Sequence, residues 1–350
     1  RVGFTVASIK CSSWTRGTRV QPILMRIFDW TWYHPNPLKW LLWPLGVFYR
    51  AAMGIRRVIF QVGIRPVTKL SLPVIVVGNI TVGGAGKTPL VIWLAGELQS
   101  RGYRVGIVSR GYGGSAKEWP QRVHTNSDPA LVGDEPVLLA RATGCPVIVG
   151  PDRTAAAQSL AATGQVDVLL ADDGLQHYAL DRTMEIAVID GERGLGNGFC
   201  LPAGPLREPK GRIAKVDAIV INGGWWCHTG AFRAQPVVQR LYQVAGSAQK
   251  SLEEFHDTKV HAVAGIGNPQ RFFNLLEDAE IHVLPHPWPD HANLSSEDLK
   301  FDDAHPVLVT EKDAVKCRRF AHGNVWCVPI KLVFDADDGE RLMRRVLREL

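Results

Sequence analysis

The stretch Val74–Pro89, VIVVGNITVGGAGKTP, constrains the fold of this chain more than any other. Its opening apolar run, VIVV, predicts a buried strand. A glycine-rich loop follows, and Lys87 and Thr88 then begin a predicted helix. Strand, glycine loop, Lys-Thr and helix in this order are typical of a P-loop, in which backbone N–H groups and the helix N-terminus hold phosphate oxygens. The stretch therefore predicts a nucleotide-binding site.

The loop departs from the strict P-loop pattern because Thr81 stands where the first glycine belongs. Lys87 is expected to reach the β- and γ-phosphates of ATP, and Thr88 to place its hydroxyl on Mg²⁺. A glycine-rich turn that binds nothing is the alternative, although such a turn has no use for Lys-Thr. The predicted phosphate-binding residues are Thr81, Val82, Gly83, Gly84, Ala85, Gly86, Lys87 and Thr88.

A second motif, ADDGLQHY, ends the predicted strand Val166–Ala171. An acid after an apolar strand is typical of the Walker-B arrangement, in which a carboxylate holds Mg²⁺ directly or through water. Adjacent carboxylates on an extended chain point to opposite sides, so one of Asp172 and Asp173 can face the metal while the other serves another partner. The pattern leaves open which of the two is the ligand, and an acid here could also simply cap a loop.

Predicted strands and helices alternate along most of the chain with short connections. This alternation predicts an α/β fold with a P-loop NTPase-like parallel sheet flanked by helices. A second α/β unit begins near Lys259. The predicted organisation is a mobile extension at 1–24, a membrane-associating segment at 25–65, a P-loop core at 66–225, and a smaller α/β lobe with the C-terminal helix at 226–350.

Charge and aromatic residues concentrate near the start of the chain. Residues 1–70 carry eleven Lys/Arg and one acid, a net +10, so a total of +6 leaves −4 for the remainder. The apolar run Trp40–Tyr49 is much shorter than the roughly 20 residues of a bilayer span. Aromatic and basic residues together suit a helix lying in the headgroup region. An amphipathic helix packed on the protein core is the alternative. The six cysteines form no C-x-x-C pair, which argues against a disulfide framework or a structural zinc site.

Eight motifs in order carry a resemblance to a known family: VVGNITVGGAGKTP, SRGYGG, VGDEP, ADDGLQHY, LPAGPLREP, GIGNPQRFF, PDHANLS and TEKDAVK. From about Met25 to its C-terminus the chain resembles the tetraacyldisaccharide 4′-kinases, the lipid A 4′-kinases of Gram-negative bacteria. The Thr81 departure is shared with that family's glycine loop. Ala292 stands where family members often have a second histidine after Pro-Asp-His.

The resemblance implies an activity and its residues. ATP would donate its γ-phosphoryl group to the 4′-hydroxyl of a tetraacylated glucosamine disaccharide 1-phosphate, giving lipid IVA at the cytoplasmic face of the inner membrane, where the protein would be peripheral. Neither a nucleic acid nor an obligate protein partner is expected. Asp134 would take the hydroxyl proton with His291 paired to it across a cleft between the two α/β units, and Lys87 would neutralise the transferring group. The substrate-binding residues expected are Arg110, Gln176 and His177.

Without the resemblance, these residues have simpler interpretations. Asp134 could be a helix N-cap, and His291 could be a surface loop residue. His286, Asp290 and His291 could also be read as metal ligands. For the whole chain, a P-loop GTPase or metallochaperone-like switch is an alternative, as is a structural membrane-peripheral protein with an inactive P-loop. No guanine-specificity motif is visible, and nucleotide preference would separate these functions.

Overall fold

The computed structural model describes residue 28 and residues 30–292 and 294–350. The predicted extension at 1–24 lies outside the described residues, as does the start of the predicted membrane-associating segment. Within the described part the chain forms a nine-stranded and a six-stranded β-sheet, each covered by helices. The predicted α/β fold with a second, smaller lobe is therefore confirmed.

The larger sheet has a parallel centre with an antiparallel strand at each edge. Its order is β15-β8-β7-β6-β1-β5-β2-β4-β3, and β3 and β15 are the antiparallel edges. The strands are β1 (Val74–Gly78), β2 (Val105–Ser109), β3 (Gln121–Val123), β4 (Val147–Val149), β5 (Val168–Asp172), β6 (Met184–Asp190), β7 (Ala218–Asn222), β8 (Phe232–Val238) and β15 (Ile330–Phe334).

Helices cover both faces of this sheet because successive side chains of its buried strands point to opposite sides. In β1, Ile75 and Val77 belong to one core and Val74 and Val76 to the other. The helices of this lobe are α1 (Leu38–Gln61), α2 (Lys87–Ser100), α3 (Pro129–Val132), α4 (Asp134–Thr143), α5 (Arg153–Ala161) and α8 (Asp338–Arg348). Helices α2, α4 and α8 contribute to the first core and α5 to the second.

The smaller sheet is parallel across β12, β11, β13 and β14 and has the order β10-β9-β14-β13-β11-β12. Its elements are β9 (Leu241–Gln243), β10 (Gln249–Lys250), β11 (Lys259–Ala264), β12 (His282–Pro287), β13 (Val307–Thr310), β14 (Val325–Val328), α6 (Pro269–Glu277) and α7 (Glu311–Cys317). Three 3₁₀ helices occur at Lys210–Lys215, Leu252–Phe255 and Ser296–Leu299.

The lobe boundary differs from the one predicted near residue 225. Strands β8 and β15 pair from Val238 with Ile330 to Ala234 with Phe334, which adds both strands to the larger sheet. Helix α8 then buries Leu342 in the first core. The amphipathic pattern predicts this C-terminal helix but cannot say which sheet it covers. The smaller lobe therefore consists of residues 239–329, and the chain ends on the P-loop lobe.

Helix α1 lies against the loop between β6 and β7 and leaves much of its apolar surface uncovered. Gly46 is buried in that contact, and the Tyr49 hydroxyl donates to the Arg207 carbonyl at 3.2 Å. Leu41 and Phe48 are each about three-quarters exposed, at 75% and 76%. Of the helices in the described ranges, α1 included, none combines the length and apolar character needed to cross a bilayer.

Candidate active site

The glycine loop takes a conformation that only glycine accommodates at its end. Gly83 and Gly86 have φ values of +103° and +90°. A Cβ on Gly86 would come within 2.0 Å of the Asn222 amide nitrogen, which donates to the Ala85 carbonyl at 3.1 Å. A side chain at this position would therefore clash and strain the backbone. Lys87 and Thr88 follow at once as the first residues of α2.

The first residues of the glycine loop are held by the segment that follows β6. Thr81, at the first-glycine position, is buried and bridges to Leu206, and the Val82 N–H donates to the Pro205 carbonyl at 2.8 Å. Asn79 closes the loop internally by donating to the Gly83 carbonyl at 3.2 Å. The threonine is thus packed against the LPAGPLREP segment, which explains why this loop has a side chain there.

The two adjacent acids of ADDGLQHY lie in different environments. Asp172 is the last residue of β5, in register with Val77 of β1, and its Oδ1 is buried with no hydrogen-bond partner among the described residues. Burial, together with the nearby Glu135 and Asp173 charges, raises the pKa of Asp172 to about 7. Oδ1 of Asp172 is therefore an acceptor to which no described residue donates a hydrogen bond.

Asp173 is instead occupied by cations. Its carboxylate lies 3.6 Å from Lys87 Nζ and 3.3 Å from the Arg207 guanidinium. Burial acts to raise the pKa of Asp173, but Lys87 and Arg207 outweigh it and hold that pKa at about 2. Lys87 Nζ also lies 3.4 Å from Asn79 Oδ1. Asp173 thus holds the P-loop lysine in place.

The described residues fit a divalent cation at this edge of the sheet. A hard cation such as Mg²⁺ takes oxygen ligands, usually one or two carboxylates plus phosphates and water. The unpartnered Oδ1 of Asp172 and the Thr88 hydroxyl are such donors. The alternative site at His286, Asp290 and His291 does not form: His286 bonds His261 at 2.9 Å. No group of three or more His, Cys, Asp or Glu side chains within 30–292 and 294–350 is arranged to hold a metal.

Asp134 and His291, 157 positions apart, meet between the two lobes. Nδ1 of His291 forms a 2.9 Å hydrogen bond with Oδ1 of Asp134. Asp134 is the first residue of α4, whose N-cap is Gly133, so the simple N-cap interpretation does not hold. His291 has φ of +60°, a conformation that is strained for a non-glycine residue. The surrounding contacts must therefore hold its ring against Asp134.

Charges around this pair keep the carboxylate ionised. Burial would raise the pKa of Asp134, but the His291 hydrogen bond and the Lys316 charge hold it well below its usual range. Burial likewise acts to lower the pKa of His291, and the hydrogen bond and charge of Asp134 raise it above its ordinary value. The contact thus favours the ionised form of Asp134 and the protonated form of His291.

Helix α7 adds cations that the sequence analysis did not assign to the site. Lys312 pairs with Glu135, and Lys316 Nζ lies 3.2 Å from Asp134 Oδ2. The ammonium of Lys312 thus faces the P-loop lobe from the smaller lobe. The i, i+4 spacing of the two lysines on a helix was the available signal, because it places both on one face.

Two of the three predicted substrate-binding residues, Gln176 and His177, are neighbours in the loop after β5. Arg110 is exposed after β2. Gln176 donates to the Asn79 carbonyl at 3.1 Å and to Glu208 at 3.0 Å, so it supports the strand that leads into the P-loop. His177 lies 3.2 Å from the Thr154 hydroxyl, and burial lowers its pKa to about 4. Their substrate contact stays a prediction.

The smaller lobe also reaches the P-loop directly. A methyl group on Gly267, in the loop after β11, would come within 2.8 Å of the Gly84 nitrogen and 3.3 Å of Asp290 Oδ2. The same lobe therefore touches both the phosphate loop and the Asp134 carboxylate. A cleft of about 700 Å³ opens beside Asp134 and His291, lined by cations that include Lys316.

Comparison with known proteins finds relatives over most of the chain. The family model described as tetraacyldisaccharide-1-P 4′-kinase matches residues 38–348. The tetraacyldisaccharide 4′-kinase of Nitrosococcus oceani is 52% identical over 312 residues, covering 89% of this chain and 92% of the relative. That of Alkalilimnicola ehrlichii is 51% identical, covering 87% and 92%. The crystal structure of LpxK from Aquifex aeolicus in complex with ATP superposes with a TM-score of 0.74 at 28% identity, covering 89% of this chain and 99% of that one.

Proposed function

This chain belongs to the tetraacyldisaccharide-1-P 4′-kinase family, and we propose that its site transfers the γ-phosphoryl group of ATP to the 4′-hydroxyl of a tetraacylated glucosamine disaccharide 1-phosphate. This reaction is a step of lipid A biosynthesis. The observation that carries the proposal is the hydrogen bond of Asp134 to His291 between lobes that also meet at the P-loop. This supports a role for Asp134 as the proton acceptor beside the phosphate-binding loop.

In this reaction the protein mainly positions the reactants and neutralises their charge, and it contributes little covalent chemistry. The 4′-oxygen forms a bond to the γ-phosphorus, the bond from that phosphorus to the β,γ-bridging oxygen breaks, and ADP leaves with the electron pair. Backbone N–H groups of the loop between Thr81 and Thr88 hold the phosphate oxygens. Lys87 exchanges its contact with Asp173 for the transferring group, whose charge it then offsets.

Asp134 accepts the proton of the 4′-hydroxyl as the new bond forms. A carboxylate of low pKa suffices, because the hydroxyl becomes acidic only as transfer proceeds. The hydrogen bond from His291 fixes the direction of the carboxylate, and the positive φ of His291 supports a position held by its surroundings. Contact between the lobes excludes water that would otherwise compete with the sugar alcohol.

Mg²⁺ is the metal that this donor set suits. When bound, it neutralises charge on the β- and γ-phosphates. Asp172 and Thr88 are its proposed protein ligands, because the Oδ1 of Asp172 is buried without a hydrogen-bond partner in the described part of the chain, whereas Asp173 is paired with Lys87 and Arg207.

The proposed site of action is the cytoplasmic face of the inner membrane, with the protein peripheral and α1 lying in the headgroup region. Support comes from the exposed Trp40, Leu41 and Phe48 on the same helix as Arg56 and Arg57. Burying a large apolar side chain contributes roughly 1.5–3 kcal/mol, and each basic residue near an anionic leaflet roughly 1 kcal/mol. Together these are sufficient for reversible binding.

We expect Leu41→Ser/Phe48→Ser to lower co-sedimentation with vesicles of phosphatidylglycerol and phosphatidylcholine at least tenfold. The reason is that both side chains are three-quarters exposed in the protein and would lie in lipid. Val67→Ser, which removes a partly exposed apolar residue outside α1, is the matched control. Unchanged binding by the double variant would contradict the assigned surface.

The activity itself is tested by incubating the protein with γ-labelled ATP, Mg²⁺ and detergent-dispersed acylated disaccharide 1-phosphate. The expected product carries the label at the 4′-position as a second phosphate, and label does not transfer from GTP at a comparable rate. Hydrolysis of GTP without transfer to the lipid would instead indicate a switch protein and would end the proposal.

A further inference from the structure

A buried ammonium group contacts Oδ2 of Asp134, the carboxylate oxygen that His291 does not bond. Nζ of Lys316 lies 3.2 Å from Oδ2 of Asp134 and 3.1 Å from Oδ1 of Asp313. The Lys316 side chain is only 9% exposed, and the carboxylates are less exposed still. Lys316 belongs to the smaller lobe and Asp134 to the P-loop lobe, so this ion pair crosses the interface.

Asp313 connects Lys316 to the phosphate-binding side of the site. It is fully buried and accepts hydrogen bonds from the Gly265 N–H at 2.9 Å and the Thr310 hydroxyl at 2.7 Å. Gly265 begins the loop whose Gly267 lies against the P-loop backbone. One continuous set of contacts therefore runs from the phosphate loop to the carboxylate of Asp134.

The two oxygens of Asp134 are held in different ways. Oδ1 accepts hydrogen bonds from His291 and from the Glu135 N–H, the latter at 2.9 Å. Oδ2 faces Lys316 as an ion pair, and no aligned hydrogen bond to it is formed by any described residue. Oδ2 is itself shielded from solvent, so the adjacent positive charge of Lys316 holds the carboxylate from its buried side.

We propose that Lys316 is a positioning residue for phosphoryl transfer, which holds Oδ2 of Asp134 in place and is itself anchored through Asp313 to the loop that rests on the P-loop. This inference rests on the proposed function, since it assigns to Asp134 the role of proton acceptor. In this role Lys316 acts through the carboxylate rather than on a reacting atom.

The charges facing Asp134 determine how the rate should depend on pH. His291 faces it from the loop after β12, Lys312 and Lys316 face it from α7, and Glu135 is next to it on α4. The two lysines, and His291 through its hydrogen bond, favour the ionised carboxylate, which is the form that accepts a proton. Removing one of them raises the pKa of Asp134, so the rate is lost at a higher pH as the solution is acidified.

The test is the pH dependence of kcat for Lys316→Met and Lys316→Arg, with Lys300→Met as the control. Lys300 is an exposed lysine of the same lobe that pairs with Glu297. Lys316→Met is expected to lower kcat at neutral pH at least tenfold and to change the KM for ATP less than twofold. It is also expected to move the acid limb of the plot of kcat against pH to higher pH, by about one unit. Lys316→Arg keeps the charge and is expected to restore the acid limb.

An equal loss of kcat in both Lys316 variants, with the acid limb unmoved, would overturn the proposal and leave only a structural role. If Lys316→Met does not fold, Asp313→Asn/Lys316→Gln removes the buried charges together, and the same upward movement of its acid limb is expected. An unmoved acid limb in that variant would also overturn it. Failure of the wild-type protein and the Lys300 variant to label the lipid would instead refute the proposed function.

Discussion

Replacing Asp134 with asparagine is expected to lower kcat for 4′-phosphorylation roughly 10²–10⁴-fold, the range for loss of a general base. Asparagine has nearly the same shape, and its amide oxygen can still accept the hydrogen bond from His291. It cannot take a proton at neutral pH, however, and it removes the negative charge that His291 and Lys316 surround. The KM for ATP is expected to change little, because the phosphate loop keeps its own contacts.

The measurement is steady-state transfer of label to the acylated disaccharide 1-phosphate, with ATP binding measured separately to show that the fold persists. Asp278→Asn is the matched control, since Asp278 is an exposed acid beyond α6 in the smaller lobe. A kcat for Asp134→Asn within a few-fold of the wild-type value would refute the base assignment. Loss of both ATP binding and transfer would show that the variant is misfolded, and Asp134→Glu would then replace it.

The P-loop lobe was predictable to a large extent because its signals are local. The apolar run before the glycine loop and the Lys-Thr pair after it predict β1 and α2, and the structure has both. The sequence did not predict that the chain comes back to the larger sheet after forming the smaller lobe. Strands β8 and β15 pair across almost a hundred residues, and nothing in the pattern of Ile330–Phe334 distinguishes a strand of one sheet from a strand of the other.

The candidate site divides in the same way. Nothing in the spacing of Asp134 and His291 predicts a contact across 157 positions, and the family resemblance supplied that expectation. Lys316 was missed, because a lysine in a short helix is normally solvated, whereas this one is buried where the smaller lobe meets the P-loop lobe. Burial by neighbouring elements determines these environments, and a single sequence does not contain that information in local form.

The two adjacent acids of ADDGLQHY are a further case in which the surroundings decide the role of each residue, and the structure suggests how to tell the two apart. Sequence alone could not choose between Asp172 and Asp173. In the structure Asp173 is paired with Lys87 and Arg207, whereas Oδ1 of Asp172 has no hydrogen-bond partner within the described part of the chain. A metal ion bound at Asp172 would supply the partner that its Oδ1 lacks. A metal ion bound at Asp173 would first have to displace the lysine and arginine paired with that carboxylate.

We therefore expect Asp172→Asn to raise the Mg²⁺ concentration for half-maximal kcat by at least the roughly 10–100-fold that follows loss of a group orienting a metal ligand. Asp173→Asn is the matched comparison, since it changes the same kind of side chain one position away. It is expected to raise the KM for ATP by freeing Lys87, with a much smaller change in the Mg²⁺ requirement. Titrating Mg²⁺ at saturating ATP separates the two. A larger rise in the half-maximal Mg²⁺ concentration for Asp173→Asn than for Asp172→Asn would reverse the assignment. The metal would then have replaced Lys87 and Arg207 at Asp173, and Asp172 would be a buried acid that only shapes the site.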